Sequence, residues 1–491
     1  VSLPDAGAAE PPAPPCIAEG GIDEPDDAFA DTNCDGIDGD ASIAVFVSAT
    51  GSDDGAGTIA APLKTLQHAV DVAQKRGKRA IYACNGEYPE NVLIADTPVD
   101  VYGGYDCERG WKRVPDIVTL APTNGVPLTI RNVPGALVVD RVATRSASAV
   151  DAGGSSIATV IAGSAQVTLR RVEFTAGDGK AGKDGAAVIA PVWPSQSAVA
   201  GEDLTGVAPW CVSNDRCRSL SGRDGENDPS CLLASGGGHG PERVCPDHSI
   251  IYGGSGGNGG NCGQGLVSTS GSAGRPASPS AQGVAGREGA SGAPGPGFGR
   301  IRGEEYVPIA ASDGAWGETG TAGHGGDGSN GVRSGGDPGV AFQPGGGGGQ
   351  GGYPGCGAPG GNGGGGGGGS IALLVISSQV TLASSHLVTG DGGDGGTPSY
   401  GVTGQPGGSG APGGHGDNVT AGQAGYAGGA GGNGGLGGPG GGGPSVGIVS
   451  TGIVPMTTDT TFELGAGGNG ATGAQRAANG QRSETFNAGY R

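Results

Sequence analysis

SIATVI at 156–161, QVTL at 166–169 and VEFTAGDG at 172–179 return further along the chain as SIALLVI at 370–376, QVTL at 379–382 and HLVTGDG at 386–392. A looser third copy runs SVGIV at 445–449 and TFELGAG at 461–467. Short β-branched runs bounded by Gly, Pro, Asn or Ser read as strands. Their ordered recurrence reads as a solenoid, in which each unit buries its apolar face against the next. A glycine-rich excursion follows each copy, at about 177–369, 390–444 and 465–482. The excursions therefore leave the repeat at one corner, and arms leaving one edge of a stack lie side by side.

The arms have a period of their own. Glycine falls at 422, 425, 428, 431, 434, 437, 440 and 443, and the same register runs from Gly404 to Gly416 with Val419 as the break. Shorter triplet runs cover Gly283 to Gly295 and Gly357 to Gly369. A three-residue period matches the polyproline-II helix, which makes no internal hydrogen bonds. Its N–H and C=O groups must find neighbouring chains or water, and a glycine file leaves one face bare for close approach. The runs are interrupted and rich in Gly rather than Pro, so a polyglycine-II-type bundle ranks above a collagen helix.

The 491 residues include 113 Gly and 4% aromatics, and 27 basic against 47 acidic residues set the net charge at −20. That balance repels phosphate backbones, so no nucleic acid partner is expected. No apolar stretch is long enough for a membrane span. Ten cysteines without a Cys-x-x-Cys pair suit disulfides in an oxidising compartment. Local proximity suggests Cys16–Cys34, Cys84–Cys107, Cys211–Cys217 and Cys231–Cys245, which leaves Cys262 with Cys356. Cys245 and His248 lack the second ligand pair that a zinc site needs.

Asp31, Asn33 and Asp35 alternate before Gly36, and Ile37 offers its carbonyl next. That spacing is the opening of a calcium loop. The twelfth position is Ser42 rather than a bidentate Glu, so Asp38, Asp40 or the upstream Asp23, Asp26 and Asp27 would complete a structural Ca2+ shell. The segment resembles the Asp/Cys-rich calcium motifs of thrombospondin type 3-like and related bacterial surface proteins.

Downstream, Leu63, Leu66, Val70 and Ala73 share a helical face behind Pro62, which predicts a helix over 62–76. Strands are predicted at Ile43–Val47, Ala80–Ala83, Val92–Ile94 and Val99–Tyr102, with Gly86-Glu87-Tyr88 as a turn. The run from FVSATGSDDG through PLKTLQHAVDVAQ and IYACNGEYPENVLI to VDVYGGYD resembles the opening of pectin-lyase-like right-handed β-helix proteins. The resemblance covers about residues 43–175. It implies a mainly β, right-handed parallel β-helix with an N-terminal capping helix. It implies fold more than activity, because that family includes lyases, hydrolases, tailspikes and adhesins.

The chain then divides into a Pro/Ala-rich tether (1–15), an acidic Cys-bracketed segment (16–42) and a β-helix region (43–176). A Cys-containing Gly-rich insertion (177–369), a coil (370–389), a Gly-triplet arm (390–444), a coil (445–464) and a Gly-rich tail (465–491) follow. In the tail, Glu484–Asn487 is a strand that could pair with a neighbouring molecule. Asp96, Asp100, Asp116, Asp140, Arg131, Arg141, Arg170 and Arg171 read as solvent-facing strand residues rather than a catalytic groove. No Gly-x-Ser-x-Gly elbow, with its serine on a strand-to-helix turn, is expected. The expected function is a secreted bacterial surface protein, an adhesin, matrix or self-assembling fibre subunit. Its partners would be further copies of itself or a cell-surface glycan. The alternative is a polysaccharide lyase or glycoside hydrolase, and a third reading is ice or glycan binding by a flat triplet face.

Overall fold

Val92 and Ile94 are buried while Leu93 is exposed, and Leu128 with Ile130, Val167 with Leu169 and Val380 with Leu382 alternate the same way. Alternation at period two turns one face of each short strand inward. The computed structural model describes residues 16–18, 20–201, 241–257, 282–329, 332–333, 342–343, 346–415 and 421–489. It is mainly β and contains three large sheets of parallel strands, one of them edged by an antiparallel strand, Lys112–Arg113.

The chain visits these sheets in rotation. Ala80–Cys84 lies in sheet one, Gly86–Tyr88 in sheet two and Val92–Ala95 in sheet three. Asp100–Asp106, Val118–Leu120 and Leu128–Arg131 repeat the circuit. Ala136–Asp140, Val142–Arg145 and Ser156–Ala162 follow, then Gln166–Arg170, Glu173–Ala176 and Ser370–Ile376. Val380–Ala383, His386–Thr389 and Ser445–Thr451 add a further turn, and Met456–Thr458, Thr461–Leu464 and Arg482–Asn487 end the three sheets.

Register stacks like on like. Ser156, Ser370 and Ser445 are paired in line, as are Val167 with Val380 and Leu169 with Leu382. One interior file runs Tyr88, Leu120, Thr144, Phe174, Leu387 and Phe462. Another runs Val101, Val139, Leu169 and Leu382, and ends at the exposed Thr457. The glycine-rich segments all depart after a sheet-two strand, at Ala176, Thr389 and Leu464, and all return into sheet three, at Ser370, Ser445 and Arg482.

The helix is Leu66–Arg76, shorter than the expected 62–76. Thr65 caps it by accepting the His68 N–H, and Gly77 closes it at φ 64°. Leu63 is not on the helical face. It forms a bridge to Val47, so the chain is still extended there. Gly86–Tyr88 is a strand rather than a turn, because its backbone pairs with Val118–Leu120. The tail strand does not await another molecule on both sides. Arg482–Asn487 pairs with Ser445–Thr451 of the same chain, from Ser445 opposite Arg482 to Ser450 opposite Asn487.

Cys16–Cys34 and Cys84–Cys107 are bonded. The expected partners of Cys245 and Cys356 are corrected, since these two bond each other across 111 residues with Cα atoms 5.6 Å apart. That spacing suits a disulfide. Residues 241–251 dock on the 346–369 segment, with the Tyr353 hydroxyl donating to the Pro241 carbonyl and Arg243 over the Tyr353 ring. Sequence proximity fails here because extended arms place distant residues alongside one another. The bonded Cys245 also leaves no thiolate beside His248 for zinc. Cys211, Cys217, Cys231, Cys262 and the 1–15 tether lie outside the described residues. Peptide mapping without reduction is expected to recover a Cys245–Cys356 crosslink, and a Cys231–Cys245 fragment would contradict the arm packing.

Candidate functional site

In the arms, backbone hydrogen bonds recur at every third residue, so each chain presents three files to its neighbours. Residues 421–443 run through the middle. Gly425, Gly428, Gly431, Gly434, Gly437, Gly440 and Gly443 donate to carbonyls within 393–411 at 2.8–3.0 Å. The next file, Tyr426, Gly429, Gly432, Gly435 and Gly438, donates to carbonyls within 312–324 at 2.8–2.9 Å. Carbonyls of the third file, Ala427, Ala430, Asn433, Leu436 and Pro439, accept from Gly283, Gly286, Gly289, Gly292 and Gly295. The 346–369 segment also donates into the middle chain, for example from Gly355 to Gly429 and from Gly361 to Gly435.

Glycine is required here for space. None of the triplet glycines in 422–443 has a left-handed φ. A Cβ on Gly429, Gly432, Gly435 or Gly438 would overlap the carbonyls of Val284, Arg287, Ala290 and Ala293. A Cβ on Gly428, Gly431 or Gly434 would overlap those of Tyr353, Cys356 and Pro359. The sequence carries a signal of this that the single-file reading passes over. From 428 it reads Gly-Gly-x, whereas 422–427 has one glycine per triplet. The second glycine file begins at Gly429, where the 282–297 segment starts to cover that face. Counting glycine files thus counts the covered faces.

The shared Gly-Asp-Gly of the repeats ties the arms to the stack. Asp178 Oδ1 accepts the Asp391 N–H at 2.8 Å, and Asp391 Oδ1 accepts the Ala466 N–H at 2.7 Å. Each carboxylate caps the same position one circuit later. The last circuit has Ala466 in that place.

A second cluster joins the acidic N-terminal segment to sheet one. Phe46, Tyr82, Tyr102, Tyr105 and Trp111 form a buried aromatic layer under it, with Ile37. The Tyr105 hydroxyl donates to the Asp38 carbonyl at 2.7 Å, and the Asp40 N–H donates to the Tyr82 hydroxyl at 2.8 Å. Asp140 is fully buried and pairs with Arg113 at 2.8 Å, with Arg170 at 3.2 Å and with Arg171. Asp38 pairs with Arg113 at 3.4 Å, and Asp27 with Arg141 and Arg171. Asp100 is also buried and meets Arg79 and the Val138 N–H. The expectation of solvent-facing strand residues is therefore corrected at Asp100 and Asp140, whose charges are matched within the protein. A buried charge persists when it is paired and hydrogen-bonded.

Of the six expected calcium ligands, Asp31, Asn33 and Asp35 share one loop. Asp31 accepts the Asp35 and Gly36 N–H groups, Asn33 Oδ1 accepts that of Asp35, and Asp35 accepts those of Ile37 and Ala41. Asp38 faces Arg113, and Asp40 caps the Ser42 N–H. Ile37 turns its side chain into the core. Among the described residues no group of three or more His, Cys, Asp or Glu side chains is arranged to hold a metal ion. Backbone N–H groups of the loop and of Ala41 hold the Asp31, Asn33 and Asp35 side chains in place.

No family model, no curated protein and no solved structure matches the chain.

Gly432→Ala is expected to destabilise the bundle by about 2–3 kcal/mol through overpacking. Ala427→Ser, on the exposed side of the third file, should stay within about 0.5 kcal/mol. Chemical denaturation of the two variants checks the contrast. Burial pushes the Asp38 carboxyl up to about 6, against the pull of Arg113. An acid raised in the folded state contributes stability that is full below its ordinary range and lost as pH rises through about 6. Between those limits the melting temperature of the wild type should fall more steeply with pH than that of Asp38→Asn; parallel curves would remove Asp38 as the cause.

Proposed function

We propose that the chain is a secreted bacterial surface protein with a structural role, an adhesin, matrix or fibre subunit. In this reading the three sheets are the walls of a right-handed parallel β-helix, the hand that parallel crossovers take, and the arms form a polyglycine-II-type bundle. The observation that carries it is the middle chain at 421–443, whose backbone is hydrogen-bonded to its neighbours along its length, with no room for side chains on two of its files from Gly428 onward. Such a bundle offers an extended, nearly featureless face suited to repetitive contact rather than to a reacting centre. Three disulfides among the described residues are compatible with an extracellular compartment. No helix among the described residues is long and apolar enough to cross a membrane. The burial of Asp100 and Asp140 in ion pairs counts against a carboxylate-based glycan-cleaving groove in sheet one.

Two measurements on the purified protein test this together. Electron microscopy is expected to show ordered assemblies at high concentration. Incubation with a panel of acidic and neutral polysaccharides should release neither unsaturated nor new reducing ends. Release of either, from discrete particles, would replace the structural reading with an enzymatic one.

A further inference from the structure

The two ends of the sheet stack differ. At the N-terminal end the edges of sheets one and three are covered. Gln67 accepts the Leu93 N–H at 2.6 Å and donates to the Leu93 carbonyl, while Gln74 donates to the Ala95 and Thr97 carbonyls. Val47 bridges Leu63, and the Ser48 and Leu63 N–H groups bond across the same edge. Another molecule finds no free ladder at those two edges. At the C-terminal end Met456–Thr458, Thr461–Leu464 and Arg482–Asn487 are the last strands of the three sheets, and no described strand pairs with their outer edges, where Arg482 donates to the Leu464 carbonyl at 3.1 Å.

This end is more than an exposed edge. The corner at 452–455 repeats the corner at 377–380 with the same offset on both sides, since Ile376 pairs with Thr451 and Thr381 with Met456. Ile453 therefore occupies the place of Ser378, and of Ser164 one circuit earlier. Those two serines are buried and bonded, the Ser164 N–H donating to Ser378 Oγ at 2.9 Å. A serine at the last circuit would have suited solvent. Ile453 is instead 57% exposed, beside Val454 at 52% and Met456 at 59%. Adjoining this apolar knob is a groove of about 360 Å³ walled by Phe298, Ile301, Ile376 and Phe486, with Thr451 leading from it into the knob. Asn487 fixes the junction by donating to the Gly452 carbonyl at 3.3 Å.

We propose that this end is an isologous interface, closed by a second copy of the same chain. A twofold operation brings the knob of each copy to the groove of the other and sets the two Arg482–Asn487 edges side by side. Twofold contacts use one surface patch on both subunits, and this end carries both members of the pair. The chain as a whole is at −20, yet the exposed charges around this end are of both signs, Arg300 and Arg482 beside Asp459, Glu463 and Glu484. Sheets one and three are capped at the other end, so the contact proposed here has no counterpart there. The inference refines the self-association in the proposed structural role. It separates end-to-end pairing, which gives a dimer, from side-by-side packing of the glycine arms, which would build larger assemblies.

Sedimentation velocity over a dilution series is the test, with hydrogen exchange of the 482–487 amides alongside. The wild type is expected to sediment as a dimer at micromolar concentration, with the outward-facing amides of that strand losing protection on dilution. The double variant Ile453→Asp, Met456→Asp should weaken the dimer about 30-fold or more, the effect of losing an apolar anchor. Both positions are more than half exposed, so its melting temperature should hold. Ile189→Asp, on an exposed stretch of the first arm, should leave the dimer unchanged. A wild type that stays monomeric, a dimer indifferent to the double variant, or 482–487 amides equally protected at every dilution would each overturn the proposal. Lateral assemblies that persist in the double variant would leave the structural role standing, whereas polysaccharide cleavage by an intact dimer would remove that role alone.

Discussion

The structure rests on backbone approaching backbone more closely than a Cβ permits. In the arms, N–H and C=O groups are the adhesive, and every neighbour is a peptide chain rather than a side-chain surface. This inverts the usual order of a globular protein, where side-chain burial is the dominant driving force and backbone bonds follow. Here the side chains are confined to the file that faces outward, and two other files must be bare. The constraint is local and absolute at each position, which is why Gly-Gly-x persists from 428 to 438.

Such a bundle does not set its own register. A glycine file looks the same after a shift of three residues. The stack supplies the reference, because each arm leaves after a sheet-two strand and returns into sheet three. Asp178 and Asp391 then transmit that reference outward, each capping an N–H one circuit later. Within a few residues of the stack the arms pair across large sequence separations, as Gly179 with Asp391 and Gly393 with Gly368. Glycine loses roughly 0.5–1 kcal/mol relative to Ala when ordered. Hydrogen bonds in several directions and the Cys245–Cys356 link offset that cost.

Charge is organised by burial in the same molecule. Asp140 is surrounded by Arg113, Arg170 and Arg171, and the N-terminal segment brings Asp27 and Asp38 to the same arginines. Removing one partner from such a network leaves an uncompensated buried charge, which is far costlier than losing an exposed pair. The acidic segment is thereby fixed against sheet one, pressed on the aromatic layer of Tyr82, Tyr105 and Trp111.

Much of the fold was legible before any coordinate. The repeated QVTL placed Val167 over Val380, and the repeated serines placed Ser156, Ser370 and Ser445 in line, because parallel stacking rewards like residues at like positions. The three-residue period marked which residues need neighbours, and the short-range cysteine pairs at 16–34 and 84–107 followed from proximity. The sequence could not say which chains would be the neighbours. Periodicity describes the faces of one strand, whereas the Cys245–Cys356 link, the burial of Asp140 and the fate of Arg482–Asn487 depend on which segments the stack brings alongside. By itself the sequence determined the repeat, its strands and the bare glycine files, since these are properties of local spacing. Only the tertiary structure decided the partners, because the corner at which the arms depart sets their lateral order, and no residue spacing within an arm encodes that corner.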